Sequence, residues 1–396
     1  MTYRAPGVYT AEVFLAPPPG LRTGVPVFLG FARSDDGVPA AVLDTPQALT
    51  AWPQFDGLFG LLLAATDSYL PRAVRGFFEN GGRLCYVVLV ALGDTPGPVA
   101  ACGRALDIIA PLDTIDLVCA PDIMRPPRPG VGVNAADVRT MQQAVLAHCD
   151  TQGDRFAILD AGAAVASVDD MLRQRVGLSG TNGALYYPWV VVRDQATNAL
   201  VDVPPCGHVA GVYARSDGRF GVHKAPANEV VEGVLDLRNA PGNDEQALLN
   251  PVGVNCLRAF PGRGIRVWGA RTLSAETAWT YINVRRLFLT AGRWIERNMT
   301  DVVFEPNDLR LWTRIVRELT VYFTDLFRAG ALKGRTPQEA FTIKCDAENN
   351  PPDVREAGEV VVEIGLAPTS PAEFIFVRII RRTSGITITG PTSPAQ

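Results

Sequence analysis

The chain is 396 residues long, 47% hydrophobic and 20% charged, enough apolar material for two domains with cores of their own, which excludes a disordered chain. Its formal net charge of −4 supplies no global basic field for tracking a phosphate backbone, so nucleic acid is not an expected partner. The seven cysteines are scattered, odd in number and without a CxxC pair, which reads as small buried hydrophobes rather than a disulfide framework or zinc site.

The opening MTYRAPGVYTAEV has no apolar stretch behind a basic segment, so no secretory signal is expected and the chain is expected to fold in the cytoplasm. Residues 6–15 alternate, with Val8 opposed to Tyr9 and Val13, and then meet three prolines, which reads as a strand on a stiff tether. VPVFLGF (25–31) reads as a buried strand, 68–80 as a helix stopped by Gly81-Gly82, and 84–90 as the next strand. The apolar run 58–65 is far short of the ~20 residues that cross a bilayer, so no membrane insertion is expected.

The alternation continues with strand 115–120, helix 135–149, strand 156–159, helix 168–176 and strand 184–192, the rhythm of a mainly parallel layered α/β domain. PPRPGVGVN (126–134) and VDVPPCGHVAG (201–211) read as surface loops. Past residue 255 the rhythm gives way to long amphipathic helices and a few strands. The expected division is an N-terminal strand arm (1–21), an outer α/β domain (22–255), an inner α+β domain (256–379) and a C-terminal arm (380–396).

The clearest helix is 308–329. Leu309, Trp312, Val316, Leu319, Phe323 and Leu326 form one stripe, with Asn307 as expected N-cap and Gly330 as stop. Its other face carries Arg310, Arg314 and Arg317, either a solvated surface or a row of planar donors for an acidic partner. Beyond it, 374–380, including Phe374, Phe376 and Ile379, and 386–389, including Ile386 and Ile388, read as short strands that must pair with something.

The residues that carry chemistry do not assemble into a motif. There is no GxSxG, and His148, His208 and His223 lack any HxH, HxxxH or HExxH spacing; His148 ends a helix where the dipole favours a cation, and the other two flank a loop. PGRGIRVWG (261–269) places Val267 where a dinucleotide fingerprint needs glycine, and GALKGRT (330–336) lacks P-loop spacing, so both read as turns. Asp35-Asp36 and Asp169-Asp170 read as solvated or capping carboxylates. No catalytic residue, metal or cofactor is implied.

Many segments in order carry a resemblance: PGVY (6–9), FFENGGRLCYVV (77–88), DLVCAPD (116–122), LYYPWVVV (185–192), GHVAGVYAR (207–215), HKAPANE (223–229), LNPVGVNCLRAFPGRGIRVWGARTLS (249–274), INVRRLF (282–288), VVFEPND (302–308), GALKGRTPQEAF (330–341) and EIGLAPTSPAEFIFVRI (363–379). Together they resemble the sheath proteins of contractile phage tails and related injection systems. The resemblance implies a helical homopolymer around an inner tube protein, bounded by baseplate and cap proteins, built in the bacterial cytoplasm and able to contract. It further implies that the terminal arms exchange strands between subunits and that the arginine face meets the tube. The alternatives are an α/β enzyme with an unrecognised active site and a static tail or baseplate component of the same fold.

Overall fold

The computed structural model describes residues 21–59, 67–92, 97–126, 132–195 and 197–373, with the backbone of 378–382 and 385–389. The strand expected at 6–15, with Val8, Tyr9 and Val13, lies outside the described residues, as do Phe374, Phe376 and most of the apolar run 58–65.

In chain order the strands are β1 (Pro26–Ala32), β2 (Gln47–Leu49), β3 (Cys85–Ala91), β4 (Leu117–Cys119), β5 (Phe156–Asp160), β6 (Gly183–Tyr187), β7 (Val190–Arg193), β8 (Leu200–Val203), β9 (Glu229–Val230), β10 (Asp236–Leu237), β11 (Val254–Phe260), β12 (Gly264–Trp268), β13 (Phe341–Lys344), β14 (Glu363–Leu366), β15 (Arg378–Arg382) and β16 (Gly385–Thr389). The principal helices are α1 (Pro53–Phe59), α2 (Leu70–Glu79), α3 (Pro98–Ile109), α4 (Ala135–Gln152), α5 (Val168–Val176), α6 (Cys206–Phe220), α7 (Asn243–Leu249), α8 (Ile282–Asn298) and α9 (Leu309–Arg328).

Nine strands form one sheet in the order β2-β3-β1-β4-β5-β6-β11-β12-β9. From β3 to β11 the pairings are parallel, and β2, β12 and β9 add antiparallel edges. All seven residues of β1 are buried, which is why it reads as an unbroken apolar run. Val27, Leu29 and Phe31 join a core under α3, α4 and α5, and Phe28 joins the opposite core under α2, α6 and the start of α8. The expected layered α/β arrangement is present.

Three expectations change here. The strand expected at 184–192 is two strands, because the chain leaves the main sheet after Tyr187 and β7 joins β8 and β10 in a separate three-stranded sheet. The 201–211 "loop" is β8 and the first turns of α6, a helix with ten buried residues. Its glycines let it cross α2 closely: a Cβ on Gly207 would sit 2.1 Å from the Ala73 carbonyl oxygen, and one on Gly211 2.5 Å from that of Phe77. The division placed between residues 255 and 256 falls inside β11, whose Val254, Asn255 and Cys256 pair with Leu185, Tyr186 and Tyr187, so the sheet continues to Trp268.

A second core lies beyond the sheet. Ala291, Leu311, Trp312, Ile315, Leu319 and Phe323 pack with Trp294, Tyr322, Phe341 and Ile364, joining the later half of α8, α9 and the β13–β14 ribbon. Trp294 and Tyr322 stack with ring centroids 4.0 Å apart. Helix α8 spans both regions, burying Ile282 and Leu289 toward the sheet and Ala291 in the second core.

Candidate assembly surfaces

In an open α/β sheet, ligands enter where the strand order reverses, outside the carboxyl ends of the strands. Here that point lies between β1 and β4. The crevice is filled by the chain's own side chains. Asp122, fully buried, accepts hydrogen bonds from the Phe31 amide at 3.1 Å, the Ser68 hydroxyl at 2.8 Å and the Tyr69 and Leu70 amides at 2.7 and 3.1 Å. Burial pushes its carboxyl above the ordinary range, against the pull of Arg125 and these donors.

Arg125, also buried, grips Asp36 through two nitrogens at 2.7 and 2.8 Å and donates to the Phe31 carbonyl. Asp67 closes the network on Arg125 and Arg33; burial opposes its ionisation, yet hydrogen bonds from both arginines hold its carboxyl below the usual value. Asp36 is therefore a buried ion-pair partner, not the solvated loop carboxylate expected from sequence. Asp170 does cap α5 with Ser167 as expected.

The histidines are structural. His208 lies inside α6 rather than in a loop, 2% exposed, and burial together with Arg75 pushes its pKa down to about 4. His148 is not the cation expected at a helix end: burial and the neighbouring Arg155 hold it at about 4, because desolvation outweighs the helix dipole there. His223 is half-buried and lowered by burial. All seven cysteines are free and buried, with Cys102 and Cys256 pushed up to about 12 by desolvation. Among the described residues no group of three His, Cys, Asp or Glu side chains could hold a metal, and no helix is long and apolar enough to cross a membrane. Gly262 and Gly264 form the β11–β12 turn at φ 70° and 74°, the positive values only glycine adopts easily.

Two further parts of the surface bear on the expected site residues, α9 and the segment 369–373 that leads to β15. The N-cap of α9 is Asp308, whose carboxylate accepts from the Arg310 and Leu311 amides at 2.8 and 3.1 Å. Asn307 is not the cap. It instead bridges the Trp312 indole N–H and the Glu359 carbonyl. The buried stripe is rotated from the expected one, since Leu311 and Ile315 face the core and Leu309 is 70% exposed. Arg310 and Arg317 are exposed and make no ion pair among the described residues. Arg314 is engaged within the chain, by Glu318 at 3.0 Å and by Asp301.

At the C-terminal side, Asn283 of α8 donates to the Thr369 and His223 carbonyls, and Arg271 grips Glu373 with its Nε 3.0 Å from Oε1. These contacts fix residues 369–373 beside a cavity of about 910 Å³ lined by Phe220, Lys224, Trp268 and Pro371. Beyond it, β15 and β16 pair antiparallel, matching Ile379 with Ile388 and Arg381 with Ile386. The two short strands expected to need a partner thus take each other within the chain. The β13–β14 ribbon is likewise two-stranded, so among the described residues each ribbon leaves both outer edges without a strand partner.

Residues 128–273 match the family model of the phage tail sheath protein central domain, and residues 274–381 that of the phage tail sheath C-terminal domain. The tail sheath protein of Salmonella phage ViI is 28% identical over 217 residues, 53% of this chain and 33% of that protein. The putative prophage major tail sheath protein of Pseudomonas aeruginosa strain UCBPP-PA14 is 25% identical over 198 residues, 47% of this chain and 48% of that protein. The chain thus aligns with a third to a half of the length of these curated relatives. Among solved structures, a chain of the anti-feeding prophage baseplate superposes with TM-score 0.76 at 29% identity, over 96% of this chain and 100% of that one. The PVC sheath complex in its contracted state gives TM-score 0.75 at 27% identity, over 97% and 99%.

Proposed function

Because the chain belongs to the contractile tail sheath family, a family of structural proteins and not enzymes, we propose that it polymerises helically around an inner tube and contracts to drive that tube through a target envelope. The observation that carries this reading is the pair of two-stranded ribbons whose outer edges have no strand partner among the described residues. A two-stranded ribbon alone is marginal in water, and an exposed edge accepts an added strand through backbone hydrogen bonds. In the polymer, β15 or β16 of one subunit, with Ile379 or Ile386 and Ile388, leaves its partner and joins the β13–β14 ribbon of a neighbour, and the N-terminal arm with Val8, Tyr9 and Val13 does the same from another direction. The outer arm residues Phe374 and Phe376 belong to this connection.

At ~0.5 to 1.5 kcal/mol net per hydrogen bond, one exchanged strand contributes a few kcal/mol, and repetition along the polymer makes the lattice continuous. An interface between unlike surfaces grows into a filament rather than closing. Contraction then needs no nucleotide, since two lattice packings that differ by a few kcal/mol per subunit store the work. The face with Arg310, Arg314 and Arg317 meets acidic groups of the tube protein, with Arg314 supporting the row through its own ion pairs. Baseplate and cap proteins end the polymer, and assembly takes place in the bacterial cytoplasm before the particle acts.

A subunit fixed at the baseplate is a second reading, favoured by the baseplate chain that superposes over almost the whole length. Deleting residues 381–396 tests the main one: polymerisation is lost while the thermal unfolding of the domains is unchanged. Normal tubules from the truncated chain would contradict strand exchange.

A further inference from the structure

The loop between α8 and α9 holds one side chain in a costly position without packing it. Phe304 has φ 71°, in the left-handed region that a bulky L-residue rarely adopts, and is 103% exposed. Such strain persists only where the surroundings impose it, and it concentrates at binding and switch positions.

The surroundings do impose it here. The Val303 amide donates to the Thr300 carbonyl at 3.4 Å and the Glu305 amide to the Val302 carbonyl at 3.2 Å. Val302 packs on the second core, Asp301 is paired with Arg314, and Asn307 is bonded to both Glu359 and Trp312. A frame held at both ends thus displays its tip to solvent. Val303, its neighbour in the chain, is 58% exposed, and Leu309 at the start of α9 is 70% exposed.

The direction of display follows from the same contacts. Asp301 is clamped to Arg314 in the middle of the arginine face, and Asp308 caps the helix below Arg310, so the segment between them runs along that face. Asp301 is paired with Arg314 and Asp308 is committed to the cap, which leaves Glu305 as the exposed acid of the loop without an ion pair among the described residues.

We propose that Phe304 is a preorganised hydrophobic anchor that seats in an apolar recess on the acidic surface of the inner tube protein, with Val303 beside it in the chain and Arg310 and Arg317 of α9 supplying charge. This rests on the reading of the α9 face as tube-facing. A rigid aromatic in a desolvated pocket supplies most of a contact's strength, and surrounding charges set encounter and register.

The test is Phe304→Gly, which removes the ring and relaxes the positive φ, compared with Phe304→Leu and with an Arg310→Glu/Arg317→Glu double variant. Each chain is assembled alone and together with the particle's inner tube protein, and polymers are counted by negative-stain microscopy. The glycine variant is expected to melt no lower than the parent and to form tubeless polymer at parental yield, yet to lose extended sheath on tubes at least tenfold; leucine restores a substantial part. Parental amounts of extended sheath from the glycine variant would overturn the proposal, whatever the double variant does. Loss of tubeless polymer as well would also overturn it, by assigning the anchor to a second copy of this chain. If the glycine variant fails on tubes while the charge-reversed one succeeds, the anchor stands and the electrostatic reading of the arginines falls.

Discussion

Arg286 of α8 and Asp217 of α6, 69 positions apart in sequence, meet inside the protein through two contacts of 2.9 and 2.6 Å. The same guanidinium reaches Asp116 at 2.9 Å and lies over the Tyr213 ring at 5.0 Å, so one buried cation ties the helix that enters the second core to two elements of the sheet layer. Arg286→Met leaves two carboxylates buried without their counter-charge. Removing one partner of a buried pair costs about 3 to 5 kcal/mol, and urea denaturation is expected to show a loss of that order. A loss below about 1 kcal/mol would mean that the cluster is solvated in solution.

The crossing of α6 over α2 offers a prediction whose sign decides between two effects. By helix propensity alone, Gly207→Ala would gain about 1 kcal/mol. The new methyl would stand 2.1 Å from the Ala73 carbonyl oxygen, which is backbone and cannot step aside cheaply. Overpacking of this kind costs about 1 to 3 kcal/mol, so the variant is expected to melt lower than the parent. A higher melting temperature would show that the helices separate without penalty.

Asp160, buried at the end of β5 beside the Cys206 amide, is pushed up to about 7 by desolvation, which the hydrogen bonds from Cys206 only partly offset. A carboxyl with a folded pKa above its unfolded value holds its proton more tightly when folded. Its contribution is therefore complete below about pH 4 and is lost as pH rises to about 7, at up to about 1.4 kcal/mol per unit. Asp160→Asn removes this slope, so the stability of the variant relative to the parent is expected to improve steadily from pH 4 to 7 and then level off. A difference independent of pH would contradict the assignment.

At the root of the C-terminal arm, Glu373→Gln weakens the grip of Arg271 while leaving the fold in place. The pair is 19% and 14% exposed, and its loss is expected to change unfolding by about 1 kcal/mol or less. Polymer length is the sensitive readout: the arm loses its fixed departure angle, and tubules are expected to be shorter. Unchanged lengths would show that the arm is directed from elsewhere.

Much of this was legible from the chain. β1, β3, β4, β5 and β6 fall where apolar runs predicted strands, because both faces of those strands are covered, and α4, α5 and α9 fall where helices were expected at 135–149, 168–176 and 308–329. The misreadings share a cause, which is that local signals depend on neighbours distant in sequence. Gly207 and Gly211 look like loop residues until α2 is packed against them. Asp36 looks solvated until Arg125 arrives, and Asn307 was an adequate cap until Trp312 and Glu359 engaged it and Asp308 took the role. Backbone pairing of β11 with β6 carries the sheet across the division expected between residues 255 and 256, and the boundary between the two matching family models falls at 273–274. Phe304 gave no signal in sequence beyond its place in VVFEPND, since positive φ is a property of the folded frame.

The most direct test of the central claim is negative-stain microscopy of the purified full-length chain over a range of concentrations. The account predicts long hollow tubules of helically arranged subunits, appearing above a threshold concentration as a heterologous strand-linked lattice requires. A protein that stays monomeric at every concentration, or that closes into discrete rings without elongating, would contradict it.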